Sequence, residues 1–367
     1  MNIQVLDLSN PLWLETLQKI PHDAYHLPEY VCIEAKRTKH IPKAFLVVDG
    51  EKIFFAPYLI RSCNDFFGDE FSQTSIVDVT APYGYCGILL SEAGTHTPDF
   101  VNFAINELKQ MLHSQNVCSA FFMIHPILNH NFINVFPSGT ISESGETVSI
   151  DLTLSEPQIW AHTRKGHQST INKCKRLGFT SRMVSFEQYM DEFILLYEET
   201  MNRVGAKETY YFENDYFRQL LNLGEKIHLG IVEMEDEIAC ASLFFESCGI
   251  VQAHLGGTKT KFLHQSPFNL LLHYVRLWGK ERGNKFLHIG GGLGGSKEDS
   301  LYTFKSGFSR QRHSLSNLRL IINEEKYQYF IELRANYLNT TVRHLTESNF
   351  FPAYRASIKL KGTGESS

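Results

Sequence analysis

The chain carries seven cysteines in 367 residues, yet no two of them stand at Cys-x-x-Cys spacing. Cys32, Cys63, Cys86, Cys118, Cys174, Cys240 and Cys248 are scattered and odd in number. That pattern argues against a zinc site or a disulfide framework and fits a reducing cytoplasm. Also missing are a His-Glu-x-x-His motif, a Walker loop and a Ser-His-Asp constellation, so the metalloprotease, nucleotide-hydrolysing and triad-hydrolase classes find no support. No apolar stretch approaches transmembrane length, and the start, Met-Asn-Ile-Gln-Val-Leu-Asp, lacks a basic region followed by an apolar core. The expectation is a cytoplasmic protein, neither secreted nor membrane-spanning. Excess positive charge is absent too. Thirty-five Lys and Arg stand against 40 Asp and Glu, a formal charge of −5, which gives no global drive towards nucleic acid but leaves room for a local basic surface.

What is present describes a globular protein, with 43% hydrophobic and 20% charged residues. The length predicts two domains. In the first half, β-rich runs at 45–48 and 52–60 flank Asp49-Gly50, a hairpin signal. Short strands are expected at 76–79 and 88–90, then a helix from Pro98 to Ser114 with Phe100, Phe103, Ala104, Leu108, Met111 and Leu112 on one stripe. Strands at 120–124 and 147–152 follow. The second half repeats the order. A helix over 185–204 leads to a meander at 227–234, 238–245 and 250–255. A helix then opens at Ser266-Pro267 and closes at Gly283, and a strand follows at 286–289. Hairpin, strand, helix, strand thus occurs twice, a weak internal duplication and an α+β layer rather than a doubly wound fold. A late strand at 316–322, a polar, Tyr-rich helix at 324–346 and a frayed end at 361–367 complete the pattern.

Chemistry concentrates near the C-terminus. Phe286 to Ile289 reads as a buried strand, and Gly290, Gly291 and Gly292 strip side chains from its end, so that another backbone or a ligand can approach closely. Gly294 and Gly295 read as a mobile loop. Ser300 is the expected N-cap of a short helix with Leu301, Phe304 and Phe308 at i, i+3, i+7 and Lys305 among them. The run Gly290–Gly295 contains Gly-x-Gly-x-x-Gly by arithmetic, but no helix follows at once, which disfavours a dinucleotide fold. Composition alone reads the stretch as a Gly-rich surface loop before an amphipathic helix.

His-Ile-Gly-Gly-Gly, a variable loop, then Ser-Leu-Tyr-Thr-Phe-Lys-Ser-Gly-Phe resembles the C-terminal signature of Fem-type (FemAB-like) transferases. These belong to the GNAT acyltransferase superfamily and build two GNAT-like domains in one chain. Phe304, Lys305 and Phe308 match the family's Phe-Lys-x-x-Phe. A second resemblance lies in Asp78-Val-Thr-Ala-Pro-Tyr-Gly-Tyr-Cys-Gly87. There Pro82 and Gly84 set a turn displaying Tyr83 and Tyr85, whose hydroxyls can donate to phosphate or sugar oxygens; an aromatic turn packed on the core is the plainer reading. His162 to Arg176 resembles the basic helix opening the family's second domain. Arg164, Lys165, Lys173, Lys175 and Arg176 suit a diphosphate or an RNA backbone, although charge runs usually form solvated faces. No coiled-coil arm is evident.

The resemblance implies tandem GNAT-like domains, mixed sheets flanked by helices: residues 1–153 on the acceptor side, 154–350 on the donor and catalytic side, and 351–367 as a tail. It implies transfer of an acyl or aminoacyl group to a primary amine of a nucleotide-linked cell-envelope (peptidoglycan) or saccharide precursor. No cofactor is expected to be tightly bound and no metal is needed; the activated donor, aminoacyl-tRNA or acyl-CoA, is a co-substrate. Lys305 and the Phe304 backbone are assigned to the oxyanion or a nearby phosphate, and Asp78 to amine orientation or proton removal. Tyr83, Tyr85, Arg164 and Lys165 would bind the acceptor. The splayed strand of a GNAT fold is expected near His254, Gly256 and Gly257, with the pyrophosphate-binding helix start at Ser266 and Asn269. His254 and His288 also read as plain strand histidines. The usual coenzyme A fingerprint is missing, since 259–266 has no glycine. That puts coenzyme A in doubt and leaves room for an aminoacyl-tRNA donor; the alternative is an acyl-CoA N-acyltransferase acting on an amino sugar or other small amine. A non-catalytic binding module is the third reading.

Overall fold

A computed structural model describes residues 1–63, 76–128, 133–293 and 298–356. The glycines at 294 and 295 and the frayed end at 361–367 lie outside these residues. Seven strands come from the first half: β1 (Asn2–Leu6), β2 (Ile41–Asp49), β3 (Lys52–Ser62), β4 (Val77–Thr80), β5 (Gly87–Leu90), β6 (Val117–Ile124) and β7 (Ile141–Asp151). Six follow: β8 (Thr180–Val184), β9 (Ile227–Met234), β10 (Glu237–Ser247), β11 (Ile250–Thr258), β12 (Phe286–Gly291) and β13 (Arg312–Ile321). The helices are α1 (Leu12–Leu17), α2 (Pro28–Thr38), α3 (Glu92–Thr95), α4 (Pro98–Ser114), α5 (Glu156–His162) and α6 (Lys165–Arg176). They continue with α7 (Met190–Val204), α8 (Asn214–Leu220), α9 (Phe268–Glu281), α10 (Ser300–Ser306), α11 (Glu324–Tyr337) and α12 (Val342–Glu347).

The duplication read from the sequence is a duplication of topology. Gly50, at φ +61°, turns β2 onto β3, as Asp49-Gly50 requires. A meander then leads through α4, a crossover helix, into β6, which lies parallel to β4. In the second half β9, β10 and β11 form the meander, α9 crosses over, and β12 lies parallel to β11. Each crossover helix covers its own core. Phe100, Ala104 and Leu108 of α4 pack on Phe54, Phe122 and Leu318, and Leu271 and Val275 of α9 pack on Val251, Leu287 and Ile289. The opposite side is a single shared core, with Trp13, Tyr30 and Phe55 joined to Phe193, Phe217 and Phe245.

The two halves also exchange strands. The sheet runs β1-β2-β3-β4-β6-β13-β7-β12-β11-β10-β9-β8, with β5 beside β3 and β6. β13, from the second half, stands between β6 and β7 and is antiparallel to both. A boundary after residue 153 therefore divides the chain without dividing the sheet. β7 begins at Ile141 and β13 at Arg312, well before their apolar cores, because each carries the polar opening of the other into the ladder: Arg312 to Leu315 pair with residues 148 to 145, and Ile141 to Glu143 with residues 318 to 316. Elsewhere the expected bounds shift. The helix expected over 185–204 starts at Met190, and that over 324–346 breaks after Tyr337, where Asn339 takes φ +48°.

Residues 351–356 are docked rather than tail-like. Tyr354 is fully buried with Tyr327 and Phe330 of α11 against Cys63 and Cys118. Asp78 of β4, itself fully buried, holds this segment. It accepts from Tyr354 Oη at 2.9 Å and Arg355 Nε at 2.6 Å, and it pairs with Arg61. A buried carboxylate with two guanidiniums leaves those cations uncompensated if it is removed. Asp78→Ala should therefore cost about 3 to 5 kcal/mol of stability, read as a lowered urea midpoint, with limited proteolysis releasing the C-terminal segment first. A variant as stable as the parent would show that the lock contributes nothing.

Candidate functional site

β11 and β12 begin as parallel neighbours and then part. Their register holds at Ile250↔Phe286, Val251↔Leu287 and Gln252↔His288 and goes no further. Beyond it β11 stays with β10 to Thr258, while β12 stays with β7 to Gly291 after an irregularity between His288 and Gly290. The gap opens at the C-terminal ends of two parallel strands, where backbone groups lose their ladder partners and side chains from several elements converge.

Lys305 reaches this opening from α10. Its Nζ donates to the Gly291 carbonyl at 2.7 Å, and burial, opposed by Asp299, lowers its pKa to about 8. Gly290, at φ +74°, has no room for a side chain: a Cβ there would lie 2.9 Å from Tyr85 Oη and 3.4 Å from Lys305 Nζ. The helix is fixed from both ends. Asp299, rather than Ser300, is its N-cap, accepting from Tyr302 N at 3.0 Å and from Leu293 N at 3.1 Å. His167 of α6 donates from Nε2 to the Phe304 carbonyl at 2.8 Å and packs against Phe308. Phe308 is fully buried and Phe304 partly so, but Leu301 is 38% exposed. Tyr302 takes the anchoring place instead, with its hydroxyl on Glu146 at 2.7 Å.

Tyr85 lies over His288, ring centroids 4.7 Å apart. Burial raises the Tyr85 phenol to about 12, partly offset by a hydrogen bond from the Gly291 backbone. His288 is the residue that strand periodicity passes over. It is fully buried, and Nδ1 contacts Gln252 Oε1 at 2.5 Å, while the Gln252 amide nitrogen donates to the Ala253 carbonyl at 2.7 Å. Gln252 thus presents its oxygen, His288 carries its proton on Nδ1, and Nε2 is left as a bare lone pair. Among the described residues that nitrogen has no hydrogen-bond partner. Burial, with His125, His313 and Lys305 nearby, keeps the imidazole well below its ordinary pKa, so it is neutral. The one sequence signal was its place immediately before Ile289 and the glycine run.

His254 has the opposite character. Nδ1 contacts Tyr25 Oη at 3.0 Å and Nε2 contacts Tyr216 Oη at 2.9 Å, and the ring stacks on Phe245 at 4.4 Å. Both nitrogens are satisfied, and burial drives the pKa to about 3. It bridges the first half to the second. Tyr83 joins the same aromatic group, 6.0 Å from His254 and 5.9 Å from Phe212, while its N–H donates to the buried Glu34 at 3.3 Å.

The remaining residues divide. Arg164 and Lys165 are exposed at the start of α6, beside α10, because Arg164 N donates to Gly307 O at 2.7 Å. Ser266, at φ +51°, bonds back to Leu263, and the buried Asn269 donates to Ser266 O at 3.3 Å. Asp78 does not join them, for Arg61, Arg355 and Tyr354 occupy its oxygens. Nor do Gly291 and Gly292 face a ligand. A Cβ on Gly291 would lie 2.6 Å from the Glu146 carbonyl, and one on Gly292 2.4 Å from Asp299. Gly257 is likewise filled by Thr200 of α7, at 2.5 Å. These glycines admit protein. Among the described residues no cluster of His, Cys, Asp or Glu is arranged to hold a metal, and no helix is long and apolar enough to cross a membrane.

Residues 161–305, which span the gap and Lys305, match the family described as the acetyltransferase (GNAT) domain. The whole fold is similar to that of FemX, with a TM-score of 0.69 at 10% identity over 89% of this chain and 99% of that one. The chain therefore carries a GNAT acetyltransferase domain in a fold similar to that of FemX. That domain makes it an acyltransferase or aminoacyltransferase. A second similar structure is the C-terminal domain of a protein described as a lysylphosphatidylglycerol synthetase from Agrobacterium fabrum, with a TM-score of 0.51 at 14% identity. It covers 77% of this chain and 84% of that one. No curated protein sequence matches the chain.

Two expectations follow from this packing. Gly291→Val drives a side chain into the β7 backbone and should cost about 1 to 3 kcal/mol in overpacking, so thermal stability falls along with activity; an unchanged melting temperature would return Gly291 to the ligand side. The second concerns acid. His26, whose Nε2 accepts from Gly87 N at 3.2 Å, is held by burial at about 3 and stays neutral when folded. Its contribution is complete above the unfolded value near 6.5 and is lost as pH falls from there towards 3. At pH 5 that is about 2 kcal/mol from His26, with His254 adding in the same direction. Urea midpoints at pH 7.5 and 5.0 should differ accordingly, and equal midpoints would contradict neutral burial.

Proposed function

We propose that the chain moves an acyl or aminoacyl group onto a primary amine of a cell-envelope or saccharide precursor. The observation that carries this reading is the parted pair of parallel strands, with a half-buried ammonium beside it and a bare imidazole nitrogen beneath Tyr85. The donor carbonyl lies in the gap beside β11. The acceptor amine attacks it, a tetrahedral oxyanion forms, and the Lys305 ammonium stabilises the developing charge. Among the described residues Lys305 has only a neutral carbonyl for a hydrogen-bond partner, so it meets the new anion without first breaking an ion pair. The amine's proton goes to His288 Nε2, which is neutral and points its lone pair into the protein beneath Tyr85; access requires the Tyr85 ring to give way. Collapse of the intermediate expels the donor's leaving group. Tyr83, Arg164 and Lys165 hold the acceptor, which we take to be nucleotide-linked, and Asp78 has no part in the chemistry.

The donor is read from the turn before α9. Residues 260–265 form a 3-10 turn without glycine, and Pro267 precedes the helix. A coenzyme A pyrophosphate normally lies on a glycine-lined helix start, where free N–H groups face it. Aminoacyl-tRNA is therefore the preferred donor, and the acetyltransferase-domain match keeps acyl-CoA as the second reading. The test is product formation by the purified protein on amine-bearing envelope precursors, followed by mass spectrometry, with charged tRNA in one series and acyl-CoA in the other. Failure with every donor and acceptor pair would sink the transfer reading for this class of substrate.

Lys305 gives the prediction its numbers. Lys305→Ala should lower kcat by about 100- to 1,000-fold, the usual loss for one oxyanion donor, with KM for the acceptor little changed. Because the active form is charged and its pKa is lowered to about 8, kcat should decline as pH rises through about 8. Lys305→Arg should remove that decline while restoring only part of the rate. A raised KM with unaltered kcat would place Lys305 on a ground-state phosphate instead.

A further inference from the structure

On the far side of α9 a second cation is buried, this time fully enclosed. Arg276 is 1% exposed. Its NH1 donates to Thr163 Oγ1 at 2.6 Å, and its Nε and NH2 both point at His273 Nδ1, at 3.2 and 2.9 Å. Trp160 lies under the guanidinium at 5.7 Å. Among the described residues no carboxylate pairs with Arg276, and an uncompensated buried charge is costly.

The hydrogen bonding tells where compensation can enter. A guanidinium only donates, so His273 Nδ1 must be the acceptor and the ring proton must sit on Nε2. Yet Nε2 is 3.1 Å from Lys175 Nζ, and an ammonium also only donates. Two donors therefore face each other, on the exposed seam between α6 and α9, with the unpaired guanidinium directly behind. Burial, Arg276 and Lys175 all oppose protonation of His273, so the imidazole stays a neutral relay. Lys173 and Arg176 are exposed on the same basic helix. What such a place lacks is an oxyanion that accepts from both donors at once.

We propose that Lys175 and His273, backed by Arg276, form a binding site for a phosphate group. The phosphate oxygen accepts from His273 Nε2–H and Lys175 Nζ. Arg276 does not touch it; it fixes the imidazole tautomer and supplies the charge behind it. The site is separate from the gap between β11 and β12, and its test needs no turnover, so it stands or falls independently of the transfer reading.

The experiment titrates inorganic phosphate against thermal stability, with sodium chloride at matched ionic strength as control. Phosphate should raise the melting temperature saturably where chloride does not. Lys175→Gln should weaken half-saturation by about tenfold, the scale of one charge-assisted hydrogen bond. Lys175→Glu supplies a carboxylate in place of the phosphate, so it should abolish the response and stabilise the phosphate-free protein. Both changes lie on an exposed side chain and leave Arg276 in place. Nitrogen NMR of His273 should show the proton on Nε2 and a shift on phosphate addition. Two further arms identify the source of the phosphate. Displacement by a nucleoside diphosphate but not by a short single-stranded RNA marks a small substrate. Binding of the RNA, with a log–log salt slope reduced by about 0.7 in Lys175→Gln, marks a nucleic-acid backbone. A phosphate response equal to that of chloride, or the same in all three proteins, overturns the proposal.

Discussion

The parting of β11 from β12 is the constraint on which the rest of the molecule depends. Two parallel strands that share only three registered pairs must each find another neighbour for the remainder of their length. β11 has β10. β12 has β7, and β7 is available only because β13 holds it in the sheet from its other side. The strand exchange between the halves therefore builds the wall of the gap, and neither half alone supplies it. Gly290 and Gly291 complete that wall by letting Tyr85 and the Glu146 backbone approach at distances that a side chain would forbid. Lys305 then closes it with a single bond to Gly291.

Local signals in the sequence were sufficient for most elements. The Asp49-Gly50 hairpin, the Pro98–Ser114 helix and the meander of the second half follow from turn chemistry and periodicity, and they stand where those rules place them. The strand exchange had no such signal, because the polar residues opening β13 find their ladder partners in β7, far away in the sequence. Within the site, Lys305 beside the glycine run was legible as a motif. Asp78 looked equally chemical, an acid near two displayed tyrosines, and its true partners Arg61 and Arg355 lie 17 and 277 residues away. His288 was hidden by the same blindness. Its strand position is ordinary, and only Gln252, on a neighbouring strand, settles its tautomer.

Buried charge separates structural groups from chemical ones in this protein. Asp78 is buried with its full complement of donors, so its charge is consumed in holding the C-terminal segment. His254 is buried with both nitrogens bonded, so it can neither take nor give a proton without breaking the joint between Tyr25 and Tyr216. His288 and Arg276 are buried, and Lys305 half-buried, with something left over among the described residues: an ammonium bonded only to a carbonyl, a nitrogen lone pair with no donor, a guanidinium with no acid. Leaving a polar group short costs free energy in the isolated protein. Packing could remove each deficit by substitution of an apolar residue of similar shape, and a fold selected for stability alone would be better without them. The three deficits also differ in sign and place. A missing anion and a missing donor adjoin each other at the gap, which suits an oxyanion and an amine arriving together. A missing anion alone sits behind α9, which suits a group that is bound and not transformed.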